Sequence, residues 1–207
     1  MVDANTVCVI DDDPDVLDSI SALLETSGFT VSAFRSAAAF LSRKPFEAGC
    51  LIVDLKMPEM TGIELQRRLA QDAAHLPVIV ISGFGELRTA VEAMKLGAID
   101  FIEKPFDDEM LLGAVKQALT QDRNKRQWLD AQNRAAQRLA SLSPREQEVL
   151  AEVAQGSPSK IIAYNLGISR RTVEIHRTNI MRKVGVRNLA ELVSLTHQAG
   201  QAPALDM

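Results

Sequence analysis

Thr6-Val7-Cys8-Val9-Ile10-Asp11-Asp12-Asp13-Pro14 is the stretch that decides the fold. Five apolar or β-branched residues in a row describe a buried strand rather than a half-exposed, alternating one. Three carboxylates follow at once. Asp13-Pro14 then opens a helix in which Val16, Ile20, Leu23 and Leu24 share one side. The same unit recurs through the first half of the chain. Apolar runs at Thr30–Phe34, Cys50–Val53, Val78–Ile81 and Ile99–Ile102 alternate with helical patterns. Those patterns are marked by Ile63, Leu65 and Leu69, by Val91 and Met94, and by Leu111, Val115 and Leu119. Five strands alternating with five helices, four of them marked by such patterns, predict an open, mostly parallel α/β sheet of the doubly wound kind.

Such sheets carry their working residues at the carboxyl ends of the strands, near the point where strand order reverses. Asp11, Asp12 and Asp13 follow the first strand, Asp54 the third, Ser82-Gly83 the fourth and Lys104-Pro105 the fifth. One edge of the sheet is therefore expected to gather several carboxylates, a hydroxyl and an ammonium. Carboxylates at that density repel one another unless a hard cation neutralises them, and Mg²⁺ (or Mn²⁺) held by a few carboxylates and waters does so. A carboxylate beside such an ion can attack phosphorus while the metal and a lysine hold the equatorial oxygens. Singly, each of these residues is as readily a helix cap or a turn former. Their fall at consecutive strand ends is the signal. An alternative makes Asp11-x-Asp13 the nucleophile and acid–base pair of a Mg²⁺-dependent aspartate-based phosphohydrolase. Pro14 directly after Asp13, and the lack of a substrate-capping insertion, speak against it.

Val9-Ile10-Asp11-Asp12-Asp13, Asp54-Leu55-Lys56-Met57-Pro58 with Gly62, Ser82-Gly83, and Phe101-Ile102-Glu103-Lys104-Pro105-Phe106 resemble the receiver domain of two-component response regulators over about residues 5–120. The resemblance implies a flavodoxin-like fold, with Asp54 as the phosphoacceptor of a sensor histidine kinase. It implies Asp11, Asp12, Asp54 and the Lys56 backbone carbonyl around Mg²⁺. Ser82 and Lys104 would contact the phosphoryl group, and Phe101 would be the aromatic that swings inward on activation. It also implies that such a domain catalyses only its own phosphoryl transfer and dephosphorylation. Gly83-Phe84-Gly85-Glu86, Ala90-Val91-Glu92-Ala93-Met94-Lys95 and Gly97-Ala98 are similar to the FixJ-type subgroup. Ser82 stands where Thr is commoner, which loses a methyl and keeps the donor.

The net charge of −4 hides a reversal. Residues 1–120 carry 10 Lys/Arg against 19 Asp/Glu, and residues 121–207 carry 13 against 8. Between Ser159 and Arg187 seven basic residues meet one acid, Glu174. An acidic site in front and a polyanion-binding surface behind are the expectation. Cys8 and Cys50 sit in strand-like runs without metal-knuckle spacing and read as reduced, buried thiols. No signal segment and no apolar run of about 20 residues suggests a membrane, so a soluble, cytoplasmic protein is expected.

Between the halves, residues 121–138 are rich in helix formers and nearly all polar at first; they read as a helical linker that extends the fifth helix or stays solvated. Domains are thus expected at 1–120 and 139–207. In the second, Ser143-Pro144-Arg145-Glu146 is a capping-box start, with Val149, Leu150 and Val153 as the apolar face and Gly156 as the stop. A helix over about Ser159 to Leu166 and the turn Gly167-Ile168-Ser169 lead to a third helix, Arg170 to about Val184. That is a helix-turn-helix. At about 100° per residue, Val173, Ile180 and Val184, with His176 beside them, face the core. His176 reads as a packed, hydrogen-bonded side chain rather than a metal ligand. Arg171, Ile175, Thr178 and Arg182, flanked by Glu174, lie opposite and suit a major groove. Thr172, Asn179 and Lys183, joined by Lys160, Arg170 and Arg177, suit phosphates.

Leu142-Ser143-Pro144-Arg145-Glu146, Glu148-Val149-Leu150, Lys160-Ile161-Ile162-Ala163, Ile168-Ser169, Thr172-Val173, His176, Asn179-Ile180 and Lys183-Val184-Gly185-Val186-Arg187 resemble the LuxR-type helix-turn-helix domain. The resemblance implies a small all-α domain of four helices that binds double-stranded DNA. The last helix, about Asn188–His197, would pair two copies on a palindromic site, making a homodimer. Gly156-Ser157-Pro158-Ser159 departs from the usual loop, where Asn often precedes the Lys. Taken together, the two resemblances imply a phosphorylation-controlled transcription regulator.

Overall fold

The computed structural model describes residues 5–43, 48–72, 76–83 and 87–200, and the chain divides into two units, Met1–Lys125 and Arg126–Met207. Residues 84–86, part of the stretch that resembles the FixJ-type subgroup, lie outside the described residues, as does the tail beyond 200.

In the first unit, strands β1 (Thr6–Ile10), β2 (Thr30–Phe34), β3 (Cys50–Asp54), β4 (Val78–Ser82) and β5 (Asp100–Glu103) alternate with helices α1 (Pro14–Thr26), α2 (Ala37–Leu41), α3 (Gly62–Gln71) and α4 (Leu87–Lys95), and α5 (Asp108–Ala140) follows. The sheet is parallel throughout, in the order β2-β1-β3-β4-β5. This is the flavodoxin-like winding, and the order reverses between β1 and β3. Each central strand feeds two cores, because successive side chains point to opposite faces. Cys8, Ile10, Leu51, Val53, Val78 and Val80 pack with Phe40 of α2, Leu65 and Leu69 of α3 and Ala93 of α4. Val7, Val9, Cys50, Ile52, Ile79 and Ile81 pack on the other face with Leu17, Ile20 and Leu24 of α1 and Leu111, Val115 and Leu119 of α5. Burying both faces is what the uninterrupted apolar strands required.

The expected elements are in place, with two differences. Helix α2 is five residues long and carries no periodic stripe, so the pattern did not locate it. Val91 and Met94, which mark α4 in the sequence, are 47% and 48% exposed. The inward side of α4 is the small, fully buried Ala93, whose carbonyl accepts a hydrogen bond from the buried Gln66 amide of α3 at 3.0 Å. A small residue there lets α4 sit close to α3. Cys8 and Cys50 are free, buried thiols; burial pushes the Cys8 thiol up to about 11 and Cys50 higher still.

The second unit holds the end of α5, then α6 (Pro144–Ala154), α7 (Ser159–Asn165), α8 (Arg170–Val184) and α9 (Leu189–Gln198). Its core joins Val149, Leu150 and Val153 of α6, Ile162 of α7, Val173, Ile180 and Val184 of α8, and Leu192 and Leu195 of α9. Ala135 and Leu139 of α5 belong to the same core. Among the described residues no helix is long and apolar enough to cross a membrane.

Candidate functional site

The acidic cluster grows from strand ends that the parallel sheet aligns. Asp11 follows β1 and Asp54 ends β3, on either side of the reversal in strand order. Both are almost wholly buried, as is Ser82 at the end of β4. Lys104 arrives one residue beyond β5, its amide donating to the Ser82 carbonyl at 2.7 Å. Its ammonium donates to Asp54 Oδ1 at 2.6 Å and to Asp11 Oδ2 at 2.9 Å. The other oxygens are also engaged: Asp54 Oδ2 accepts from the Lys56 N–H at 2.7 Å, and Asp11 Oδ1 from the Asp13 N–H at 3.0 Å.

The electrostatics follow from that geometry. Burial raises the Asp54 carboxyl above its ordinary pKa; the Lys104 hydrogen bond and charge pull it back in part, and the negative Asp11 adds to the rise. Burial draws Lys104 down, but its hydrogen bonds and ion pairs with Asp54 and Asp11 outweigh that and leave it raised. The site is therefore a partly desolvated carboxylate pair that shares one cation and keeps one net negative charge. Asp12 beside them is half-buried. Among the described residues no three His, Cys, Asp or Glu side chains form a ready metal cage. The donor set of two carboxylates and nearby backbone oxygens nonetheless suits a hard ion that keeps several waters, such as Mg²⁺. Asp13 is committed elsewhere: it is exposed and caps α1, accepting from the Asp15 N–H at 2.9 Å. That removes the second acid of the phosphohydrolase alternative from the cluster.

Gly62 sets how closely α3 approaches. Its N–H donates to the Leu55 carbonyl at 3.0 Å. A Cβ added there would stand 2.6 Å from the Asp54 carbonyl oxygen and 3.2 Å from Leu55 Cα, so no side chain fits. Thr61 and Glu64 form a capping box that starts α3 at this point. Phe101 on β5 is half-buried against the α3–α4 side of the sheet.

The basic half presents α8. Ser169 caps it, accepting from the Thr172 N–H at 3.0 Å, and its hydroxyl lies 2.8 Å from Thr172 Oγ1. Arg171, Ile175, Thr178 and Arg182 are exposed, with Ile175 at 53%, and Lys160 and Arg170 are exposed beside them. An apolar side chain left that open on a basic face is what contact with base edges uses. Arg182 donates to Asn179 Oδ1 at 3.3 Å. His176 is half-buried, as a packed side chain would be, and its buried Nδ1 finds no hydrogen-bond partner among the described residues.

Three of the basic-face residues have partners that the sequence did not reveal. Glu174 Oε1 accepts from Ser159 Oγ at 2.6 Å, and Arg177 Nη1 donates to the same hydroxyl at 2.8 Å, tying α7 to α8. Lys183 Nζ donates to Glu146 Oε2 at 2.7 Å. Glu146 also closes the Ser143 capping box of α6. The hydrogen bond from Lys183, followed by that from the Ser143 N–H, holds Glu146 down to about 2. Glu146 at the N3 position was legible in the sequence; its partner 37 residues away was not.

Residues 7–116 match the response regulator receiver domain, and residues 140–196 match the bacterial regulatory proteins of the luxR family. The chain is similar to the transcriptional regulatory protein FixJ of Azorhizobium caulinodans, 46% identical over 207 residues, covering 100% of this chain and 98% of that protein. It is 43% identical over 200 residues to FixJ of Rhizobium meliloti, covering 96% and 98%. It is 42% identical over 196 residues to the response regulator protein TodT of Pseudomonas putida, covering 94% and 86%. Among solved structures it resembles the response regulator StyR, with TM-score 0.83 and 41% identity, covering 93% of this chain and 98% of that one. Full-length FixJ from B. japonicum matches with TM-score 0.60 and 40% identity, covering 96% and 98%. The chain belongs to the family of transcriptional response regulators that join a receiver domain to a LuxR-type DNA-binding domain.

Proposed function

We propose that Asp54 accepts a phosphoryl group from a sensor histidine kinase, and that this event controls binding of the second unit to duplex DNA in the cytoplasm. The observation that carries the reading is the Lys104 ammonium shared between Asp54 and Asp11 beside the buried Ser82. Lys104 and Ser82 would take the equatorial oxygens of the transferred group. Asp11, Asp12, Asp54 and the Lys56 carbonyl would hold Mg²⁺ or Mn²⁺, which supplies charge neutralisation when bound. Phe101 would follow Ser82 inward and change the surface of α4 and α5. Apart from its own phosphorylation and dephosphorylation the domain turns over nothing.

We assign residues 1–120 to the receiver, 121–138 to a helical linker and 139–207 to the DNA reader. Arg171, Glu174, Ile175, Thr178 and Arg182 face the bases, and Lys160, Arg170, Thr172, Arg177, Asn179 and Lys183 the phosphates. The internal partners of Glu174, Arg177 and Lys183 make those three the residues that must rearrange to reach DNA. Two copies bind two half-sites when phosphorylated, paired through α9. Incubating the protein with a small phosphoryl donor and measuring the added mass tests the core of the reading. Label lost in Asp54→Asn supports it; label retained there overturns it. Selecting duplexes from a random pool with and without the donor then yields the site, its half-site spacing and the dependence on phosphorylation.

A further inference from the structure

We propose that Arg138 is a positioning residue for DNA recognition: from the last turn of α5 it clasps the carboxyl end of α8 and sets how that helix is presented. The inference rests on the reading of α8 as the DNA-reading helix.

A helix ends with carbonyls that have no partner inside it and with the negative end of its dipole. At the end of α8, Gly185 takes the left-handed conformation, with φ 66°, and its N–H returns to the Met181 carbonyl. The Val186 N–H bonds the same oxygen at 3.0 Å. The turn itself leaves the last carbonyls of the helix, Val184 among them, and that of Gly185 open to a side-chain donor, and two of these matter here, those of Val184 and Gly185. Arg138 takes both: Nε donates to the Val184 oxygen at 2.7 Å, Nη2 donates to the same atom, and Nη2 also reaches the Gly185 oxygen at 3.2 Å. A planar guanidinium fork on two successive carbonyls at the negative end of a helix fixes direction as well as distance.

The base of the clasp is rigid. Ala135 and Leu139, on either side of Arg138 in α5, are buried in the core shared with α8. The other ties on α8 come from different elements: Ser159 of α7 to Glu174 and Arg177, and Glu146 of α6 to Lys183. The Arg138 clasp is a polar tie between α5 and α8. Arg138 is itself exposed, so an ordinary phosphate contact is the competing explanation, and the two differ in salt dependence. A phosphate contact contributes about one unit of slope in log K against log salt; an internal clasp contributes none.

The test uses the full chain treated with a small phosphoryl donor. One probe is a duplex recovered by selection from a random pool, and the other is a scrambled duplex of equal length. Arg138→Gln should lower the ratio of selected to scrambled affinity about tenfold, with scrambled affinity within about twofold of wild type and an unchanged salt slope. Simple loss of folded protein would reduce both affinities together and leave the ratio unmoved, so an unchanged ratio overturns the proposal. A slope reduced by about one unit overturns it in favour of a phosphate contact. Arg138→Lys keeps the charge without the fork and should show an intermediate ratio, which also covers the case of a poorly folded Gln variant. Arg171→Ala, run alongside, separates the two claims. If it loses specific binding while both Arg138 variants keep theirs, only the clasp fails. If none of them changes the ratio, the reading of α8 fails with it.

Discussion

The Asp54 cluster and the α8 face solve opposite problems with the same few residue types. The cluster draws charges from β1, β3 and β5, joining residues 50 and 93 positions apart, and buries them. The α8 face takes its charges from one continuous stretch and leaves Arg171 and Arg182 in solvent. In the first, each charge needs a partner, because a buried unpaired charge is costly. In the second, unpaired charges are useful, because a polyanion can complete them. Substitutions in the cluster should therefore act nearly all-or-none, whereas those on α8 should act in increments.

The largest expected effect is at the cluster. Lys104→Met should abolish the response of DNA binding to a phosphoryl donor while leaving basal binding in place, read by titrating a selected duplex with and without the donor. A donor response preserved in that variant would break the comparison. Next comes backbone approach. Gly62→Ala should destabilise the first unit by about 3 kcal/mol, the upper part of the usual overpacking range, because the new Cβ meets the Asp54 carbonyl, a backbone atom that cannot swing away. Urea unfolding of wild type and variant measures it.

On the α8 face, Arg171→Ala should cost about 1–2 kcal/mol of specific binding, read as a graded loss of affinity with folding intact. Lys160→Ala should weaken binding to all duplexes alike and reduce the salt slope by about one. The smallest effect sits in the second unit's own ion pair, between the buried Glu146 and the exposed Lys183. Glu146 has its folded pKa held down to about 2 from an ordinary 4.5, so its contribution is complete above pH 4.5 and is lost as pH falls towards 2. Glu146→Gln should be less stable than wild type by a constant margin above pH 4.5, and the margin should close by about pH 2. Ser143→Ala, which removes the cap, should cost about 1 kcal/mol. A margin for Glu146→Gln that stays flat down to pH 2 would show that the Lys183 pair is not the cause.

Much of this was legible in the chain because it is local. Apolar runs report strands, and β1 and β2 begin and end where the runs do, although β1 is buried throughout and the edge strand β2 has no buried residue. Caps are local too: Ser143, Ser169 and Asn188 start α6, α8 and α9 through hydrogen bonds that span three residues. The position of Asp54 at a strand end was readable, as was the charge reversal behind it. Helix α2 escaped because five residues make too short a stripe, and the outward side of α4 escaped because its inward residue is an alanine that carries little pattern.

By itself, then, the sequence determined the order of strands and helices, the strand ends that bear the acids, and the basic stretch that forms α8. These follow from period, caps and composition, which act over a few residues. Only the tertiary structure decided which charges are spent inside the protein: Lys104 on Asp11 and Asp54, Lys183 on Glu146, Arg177 and Glu174 on Ser159, and Arg138 on the end of α8. A charged side chain looks the same in sequence whether it will meet solvent, DNA or a buried partner. What settles the matter is desolvation and distance, and both exist only once the chain has folded.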